Sequence, residues 1–391
     1  MNLKNFINKK GIPDSLMFSM ENNKYYAIWG FDEIFSIDSE VEPLDELLNN
    51  FQKKINTWKR NSDKVAAVGY LSYDAKKLFY PHIKFKPTNQ LMPLIWFGKP
   101  NTVIEINRSD INDLKNKKSI EIRRTLELKN LEHYKDKINN IKTYLRSGDV
   151  YQINYTQPME YTIEGASEFD VFVALFESSK ANFGAYLDTK LFQILSMSPE
   201  NFFKKTDNKI LSSPIKGTIK RSEHIKEDKH LKKKLENSEK DRAEHLMIVD
   251  LIRNDIGKIC QYGSVETKNL FKVHSFKTIH HMISDISGEL NKNIEEIDIF
   301  RALFPGGSIT GAPKESAMKI IDDIEDYQRG LYTGSIGIIS ANNDMIFNIA
   351  IRTLTLMNGK GIYPVGGGIV WDSNYKDERD EAINKSKILN I

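Results

Sequence analysis

The chain has 391 residues, 40% of them hydrophobic and 28% charged, with 56 basic and 53 acidic side chains leaving a net charge of +3. That balance suits a soluble globular protein of one large or two ordinary domains, and it gives no strong field that would select nucleic acid or an anionic membrane. Cys260 is the single cysteine, which excludes an intramolecular disulfide and a cysteine zinc cage, and no apolar run reaches the ~18 residues of a membrane span. The amino terminus lacks the long apolar core of a signal peptide, so a cytoplasmic enzyme is expected, with a soluble binding protein as the other class.

Residues 1–125 read as short strands and helices. "KYYAIWGF" and "KVAAVGYLSYD" carry the aromatic and β-branched residues of half-buried strands. "FQKKINTWKR" spaces Phe51, Ile55 and Trp58 along one side of a helix. "NRSDINDLKNKKS", Asn107 to Ser119, is the best exposed connection. Beyond it, "LEHYKDKINNIKTYLRSGD" predicts an amphipathic helix with Tyr134, Ile138, Ile141 and Leu145 inside and Gly148 ending it. "VYQINYTQPMEYTI" alternates like a strand. The charged run from Lys220 to Glu244 mixes both signs, so it reads as a solvated loop and helix face and not as a nucleic-acid patch.

The carboxyl half sets a glycine-rich loop, "FPGGSITGAPK", ahead of a helix, then strand-like runs punctuated by glycine. Strands and helices mix without a βαβ rhythm, so the expected class is α+β with large antiparallel sheets. Residues 1–125 and 126–391 are expected as two regions packing as one globular unit.

Several residues stand out chemically. In "SSPIKGTIK", Lys216 sits between a proline turn and a glycine, as either a solvated charge or a buried amine with a task. In "EKDRAEHLMIVDLIRND", Glu244, Ile248, Leu251 and Asp255 share one helical stripe, which sets a carboxylate among apolar residues. In "DSNYKDERDEAINKSKIL", Glu378 and Glu381 are i, i+3 neighbours with Lys385 one turn on, after an N-cap among Asp372, Ser373 and Asn374. Oxygen ligands without His or Cys suit Mg²⁺ better than zinc, although a solvated charged helix explains the pattern as well. Glu200 in "SMSPENFF" follows a proline turn and precedes two aromatics, a setting that can raise a carboxyl pKa toward general-acid range. "FPGGSITGAPK" is not a phosphate-binding P-loop, and "VGGGIV" is not a dinucleotide fingerprint. The triple glycine suggests close backbone approach to an anion, and Arg352 in "IAIRTL" needs an anionic partner. From the residues alone, the reading is a small anionic substrate, a carboxylate, with Mg²⁺ and a lysine at hand.

Together, "SGDVYQINYTQ", "SMSPENFF", "SPIKGT", "EKDRAEHLMIVDLIRNDIGKI", "HHMISDISGEL", "FPGGSITGAPKESAMKIID", "YTGSIGIIS", "FNIAIRTL" and "GGGIVWDS" resemble the chorismate-utilising enzymes, in the branch of aminodeoxychorismate (para-aminobenzoate) synthase component I. The resemblance is strong over about 125–391, and "VGYLSYD" is its clearest earlier point. It implies two stacked antiparallel sheets with helices outside and a cleft between layers. Anthranilate synthases have alanine where this chain has the lysine of "PIKGT". The resemblance therefore implies that Lys216 attacks chorismate, that Glu200 is the general acid and base, and that His281 lies near the substrate. It assigns Mg²⁺ to Glu244, Glu378 and Glu381, and substrate contact to Gly217, Thr218, Tyr332, Arg352, Gly366, Gly367, Gly368 and Lys385.

Isochorismate and salicylate synthases use a lysine base near the position of Gln152, so glutamine here points to ammonia as incoming nucleophile. Anthranilate synthase component I is the main alternative, and a non-catalytic subunit of the same fold is a further one. Departures from the family occur in "GTIKRS" and at Arg379, and they bear on substrate fit. Cys260 lacks the glycine-flanked elbow of a glutaminase, so a separate glutamine amidotransferase subunit is the expected source of ammonia. Release of para-aminobenzoate, on the route to folate, is expected to need another enzyme.

Overall fold

The helix expected around Phe51 runs from Leu44 to Arg60, with Asp45 and Glu46 in its first turn and Lys59 and Arg60 in its last, matching the helix dipole at both ends. Leu48, Phe51, Ile55 and Trp58 are buried along one face, as the 3.6-residue period requires. The computed structural model describes residues 3–40, 43–88, 92–114, 120–277 and 279–390. The exposed connection expected at Asn107–Ser119 begins with a short helix, Arg108–Asn112, whose first turn is closed by Asp110 accepting from the Asn107 N–H at 2.8 Å. Its residues 115–119 lie outside the described residues.

The strands are antiparallel throughout, and the α+β class holds. Among the described residues, hydrogen bonding runs continuously through seventeen strands, and three more form a small second sheet. Strands from either side of residue 125 share the large sheet: Val65–Leu71 pairs with Ser335–Ser340, and Ser15–Phe18 pairs with Phe183–Asp188. The small sheet is built from Gln152–Gln157 flanked by Gly311–Ala312 and Val365–Ile369. The single strand expected over "VYQINYTQPMEYTI" is thus two, Gln152–Gln157 and Glu160–Glu164, which join different sheets. Pro158 lies at the break, where its missing N–H interrupts a ladder. The helix Leu131–Ser147 ends on Gly148 at φ +79°, the left-handed cap its sequence predicts.

One buried ion pair ties the small sheet to its surroundings. Arg329 and Glu325 are 4% exposed each and lie one helical turn apart in sequence, yet they bond as a fork, with Nε to Oε2 at 2.8 Å and Nη2 to Oε1 at 2.7 Å. Glu325 Oε1 also accepts from the backbone N–H and hydroxyl of Thr156, both at 2.8 Å. Arg329 donates in addition to the carbonyls of Ile309 and Asn154. With both carboxylate oxygens and all three guanidinium nitrogens bonded, the pair is tolerable in a low-dielectric interior, whereas either half alone is not. Glu325→Ala is expected to cost about 3–5 kcal/mol, read as a lower urea midpoint. An unchanged midpoint would mean that the pair does not carry this load.

Candidate active site

Lys216 lies on the strand Ile215–Lys220, which pairs with Ile279–Glu289. The register slips between Lys216 and Thr218, and Gly217 fills the slip at φ +76°, a conformation that costs glycine little. The space above Gly217 is closed as well, since a Cβ there would stand 3.2 Å from Asp241 Oδ1 on the helix Glu239–Gly257. That bulge sets the direction of Lys216. Its side chain is 18% exposed, and its ammonium stands 3.7 Å from Glu244 Oε2 of the same helix. Lys216 is therefore largely withdrawn from solvent and paired with a carboxylate, and not a freely solvated charge.

The lysine meets the small sheet at the glycine strand Val365–Ile369. A Cβ on Gly368 would sit 3.1 Å from Lys216 Nζ and 2.9 Å from Gln152 Nε2. A Cβ on Gly367 would sit 3.5 Å from both Glu378 Oε2 and Lys385 Nζ, and 3.7 Å from Glu381 Oε1. At Gly366 the carbonyl accepts from Lys385 Nζ at 2.7 Å. The triple glycine thus leaves room for charged side chains converging from a strand and a helix and for the Gln152 amide from a third element, a more specific role than its sequence suggested. Gln152 is fully buried, and among the described residues neither the oxygen nor the nitrogen of its amide has a hydrogen-bond partner. Such a buried amide, next to the glycine strand, has a donor and an acceptor to offer a polar ligand.

Glu200 sits in the turn between the strands Gln193–Ser198 and Asn201–Thr206. The Ser198 hydroxyl accepts from the Glu200 N–H at 3.2 Å and donates to the Ile349 carbonyl at 2.6 Å, while the Ile349 N–H donates to the Glu200 carbonyl at 3.1 Å. Its carboxyl is 7% exposed and accepts from Ser308 Oγ at 3.0 Å. Burial pushes its pKa up to about 7, against the pull of Ser308, Lys216, the Ile215 N–H and Arg352. A carboxyl half-protonated near neutrality is suited to give and take a proton.

Arg352 lies between the strands Met345–Asn348 and Thr353–Met357, at φ +51°, and not inside one apolar strand. Its charge is felt at Glu200 and His281, and among the described residues its guanidinium has no hydrogen-bond or ion-pair partner. An arginine without a partner inside a site is a ready fork for a carboxylate. His281 is buried and shares a hydrogen bond with Thr218 Oγ1 through Nδ1 at 2.8 Å. Burial, then Arg352, lowers its pKa to about 4, so a neutral imidazole faces the site. Tyr332 is buried as well, and its phenol is pushed well above its ordinary range.

The acidic helix Tyr375–Ser386 starts on Asn374, whose side chain accepts from the Lys376 N–H at 2.9 Å. Ser373, one residue earlier, donates to Glu378 Oε1 at 2.6 Å. Burial, opposed by Ser373 and reinforced by Glu381, raises the Glu378 pKa. Withdrawal from solvent works against the charge of Glu381 too, but Lys385 at 2.7 Å outweighs it and holds that carboxyl below its usual range. Two carboxylates with all-oxygen donor atoms around Gly367 fit a hard divalent cation. Glu244 stands apart with Lys216 and with Lys240 at 4.0 Å, and among the described residues no three such side chains are gathered closely enough to hold a metal.

Two participants were not legible beforehand. Ser308 is one small residue in a glycine-rich loop, and its partner Glu200 is more than a hundred residues away. His245 follows Glu244 in sequence, is fully buried, and bonds Ser284 Oγ through Nε2 at 2.7 Å, leaving Nδ1 without a partner. Its helical stripe, shared with Ile248, is the signal that could have found it.

The Glu200 carboxyl gives a linkage prediction. Its native pKa of about 7 lies above the ordinary 4.5, so between these values the folded chain keeps a proton that the unfolded chain releases. Its contribution to stability is complete below pH 4.5 and is lost as pH rises through 7. Glu200→Gln is therefore expected to match wild type near pH 4 and to exceed it above pH 7, by on the order of 3 kcal/mol. Denaturation midpoints across that range check it, and parallel curves would refute it.

Comparison with known proteins accords with this geometry. The sequence profile of the chorismate binding enzymes matches residues 13–390. The chain is 45% identical to the Escherichia coli (strain K12) aminodeoxychorismate synthase component 1 over 254 residues, which are 65% of this chain and 56% of that protein. It is 33% identical over 333 residues to the anthranilate synthase component 1 of Saccharolobus solfataricus, covering 82% of this chain and 79% of that protein. The chain spans about half the length of the bacterial aminodeoxychorismate synthase component 1 relatives it matches. In fold it is similar to the crystal structure of anthranilate synthase component I from Streptococcus pneumoniae TIGR4, with a TM-score of 0.79 at 24% identity over 95% of this chain and 93% of that one. Among the described residues no helix is long and apolar enough to cross a membrane. The chain belongs to the chorismate binding enzyme family.

Proposed function

We propose that this chain acts as an aminodeoxychorismate synthase component I, converting chorismate and ammonia to 4-amino-4-deoxychorismate. The observation that carries the reading is Lys216, largely withdrawn from solvent and packed over Gly368, with its charge reaching Glu200, whose pKa lies near neutrality. The identity to relatives that bear this name supports the same choice.

In the proposed reaction, Lys216 first gives up its ammonium proton to solvent, and the free amine then bonds through Nζ to C2 of chorismate. The ring double bonds shift, and the C4–O bond breaks as Glu200 passes its proton to the departing hydroxyl, releasing water. Ammonia then bonds to C4 and the C2–N bond to Lys216 breaks, freeing the amine. The extra proton on the new C4 amine returns to the Glu200 carboxylate and Lys216 regains its proton from solvent, so the enzyme ends as it began. Hydroxide is a poor leaving group, which is why an acid poised near 7 matters here.

Arg352, without a partner among the described residues, would bind a substrate carboxylate, and the bulge at Gly217 with Thr218 and His281 would shape the wall opposite. Gln152 would orient the incoming ammonia or the ring through its unpartnered amide. Glu378 and Glu381, with Glu244 as the third carboxylate assigned by resemblance, would hold Mg²⁺. That ion would supply charge neutralisation to the ring carboxylate. Lys385, tied to Glu381 and to the Gly366 carbonyl, keeps this rim in place.

Ammonia would come from a glutamine amidotransferase subunit, and the relatives' designation as component 1 supports a partner. Cys260 is buried with its thiol pushed up to about 11, the reverse of an activated nucleophile. The product would serve para-aminobenzoate and folate synthesis.

Product identification by mass spectrometry, with chorismate, Mg²⁺ and ammonium, tests the reading. Wild type is expected to yield aminodeoxychorismate, and Lys216→Ala is expected to lose turnover by at least about a thousand-fold, the scale of a removed covalent nucleophile. Anthranilate from the wild type would assign the chain to the anthranilate branch instead.

A further inference from the structure

Beside Glu200 lies a small, partly enclosed space that the reaction above does not use. It has a volume of about 20 Å³, enough for one water molecule, and its walls include Glu200, Ser212, Asp255, Gly307, Ser308 and Ile349. Asp255 brings no uncompensated charge to it, because Lys314 Nζ stands 2.6 Å from Oδ2 and Lys258 Nζ 2.8 Å from Oδ1. Ser308 borders this space and donates to Glu200 Oε1 at 3.0 Å. It is presented by the one-turn helix Gly307–Ile309, where Thr310 Oγ1 donates to the Gly306 carbonyl at 2.9 Å and Arg329 donates to the Ile309 carbonyl. A short loop pinned on both flanks gives this hydroxyl a fixed direction.

We infer that Ser308 is a positioning residue for proton transfer, holding the Glu200 carboxyl toward the substrate and donating its hydroxyl hydrogen to the carboxylate formed when Glu200 releases its proton. The inference rests on Glu200 being the acid of the proposed reaction. In that step the proton leaves a Glu200 oxygen for the departing hydroxyl, the O–H electron pair stays on Glu200, and the Ser308 hydrogen bond strengthens as that charge develops. A donor of this kind stabilises the transition state more than the bound substrate, so it acts on kcat. The charged groups facing Glu200 are Lys216 from its strand and Arg352 from the crossing between strands, with the compensated Asp255 across the cavity. Ser308 adds a neutral donor directed at one oxygen.

Removing the hydroxyl makes the carboxylate harder to form. The limb of kcat/KM that falls as Glu200 loses its proton then moves to higher pH. Ser308→Ala is expected to move that limb up by about one unit and to lower kcat ten- to a hundred-fold, the worth of a hydrogen bond to a charged group, with KM changed less than about twofold. Ser308→Thr, which keeps the hydroxyl, is expected to restore both. A limb that stays in place in Ser308→Ala, or a loss confined to KM, would overturn the inference while leaving Glu200 as the acid, provided Glu200→Gln abolishes the limb. A Glu200→Gln enzyme with wild-type turnover would overturn the reading of Glu200 itself and this inference with it.

If the Ser308 variants do not fold, infrared spectroscopy of the wild type decides. The carbonyl stretch lost in Glu200→Gln should fall at the frequency of a hydrogen-bonded acid. A stretch at the frequency of an unbonded acid would refute the role of Ser308.

Discussion

The buried fork between Arg329 and Glu325 is the constraint on which the rest of the site depends. Through it, Thr156 and Asn154 of the small sheet, the Ile309 carbonyl beside Ser308, and Thr333 next to Tyr332 are held to one charged centre. The Arg329 guanidinium also stands 4.5 Å from the Tyr73 ring, which brings in the amino-terminal residues. Because an unpaired buried charge is so costly, the elements bound to this centre cannot drift separately. The glycine strand pairs residue by residue with the strand carrying Asn154 and Thr156, so its position against Lys216 is inherited from that fork.

On that frame the site alternates charges at short range. Lys216 faces Glu244, Lys385 faces Glu381, and Arg352, without a partner among the described residues, adds a positive charge near Glu200 and His281. Burial raises Glu200 and Glu378, whereas Lys385 lowers Glu381, so three carboxylates in one neighbourhood are in different states. Environment and not residue type sets this difference, and in the proposed reaction it would suit Glu200 to proton transfer. Glycine supplies the room: a side chain at Gly367 or Gly368 would stand where these charged groups converge.

Local features were well legible in the sequence. The helix through Phe51, Ile55 and Trp58 follows from its apolar period, the Leu131–Ser147 helix from its apolar stripe, and the stop at Gly148 from the low cost of a left-handed glycine. The reading failed where a residue's neighbours are remote. "VYQINYTQPMEYTI" alternates throughout, but its two halves join different sheets, a matter of pairing partners that no local pattern encodes. Arg352 was read within one strand, and it lies at a crossing with positive φ.

The sequence by itself determined the family, the α+β class and the chemical inventory: a lysine before a bulging glycine, a glutamate after a proline turn, and carboxylates spaced along helices. These are properties of composition, spacing and ordered motifs, carried along the chain. Only the tertiary structure decided that Lys216 is withdrawn from solvent, that Gln152 is buried without partners, and that Ser308 reaches Glu200. Desolvation and hydrogen bonding act through space, between segments a hundred or more residues apart, so the state of each group became readable only when those segments met.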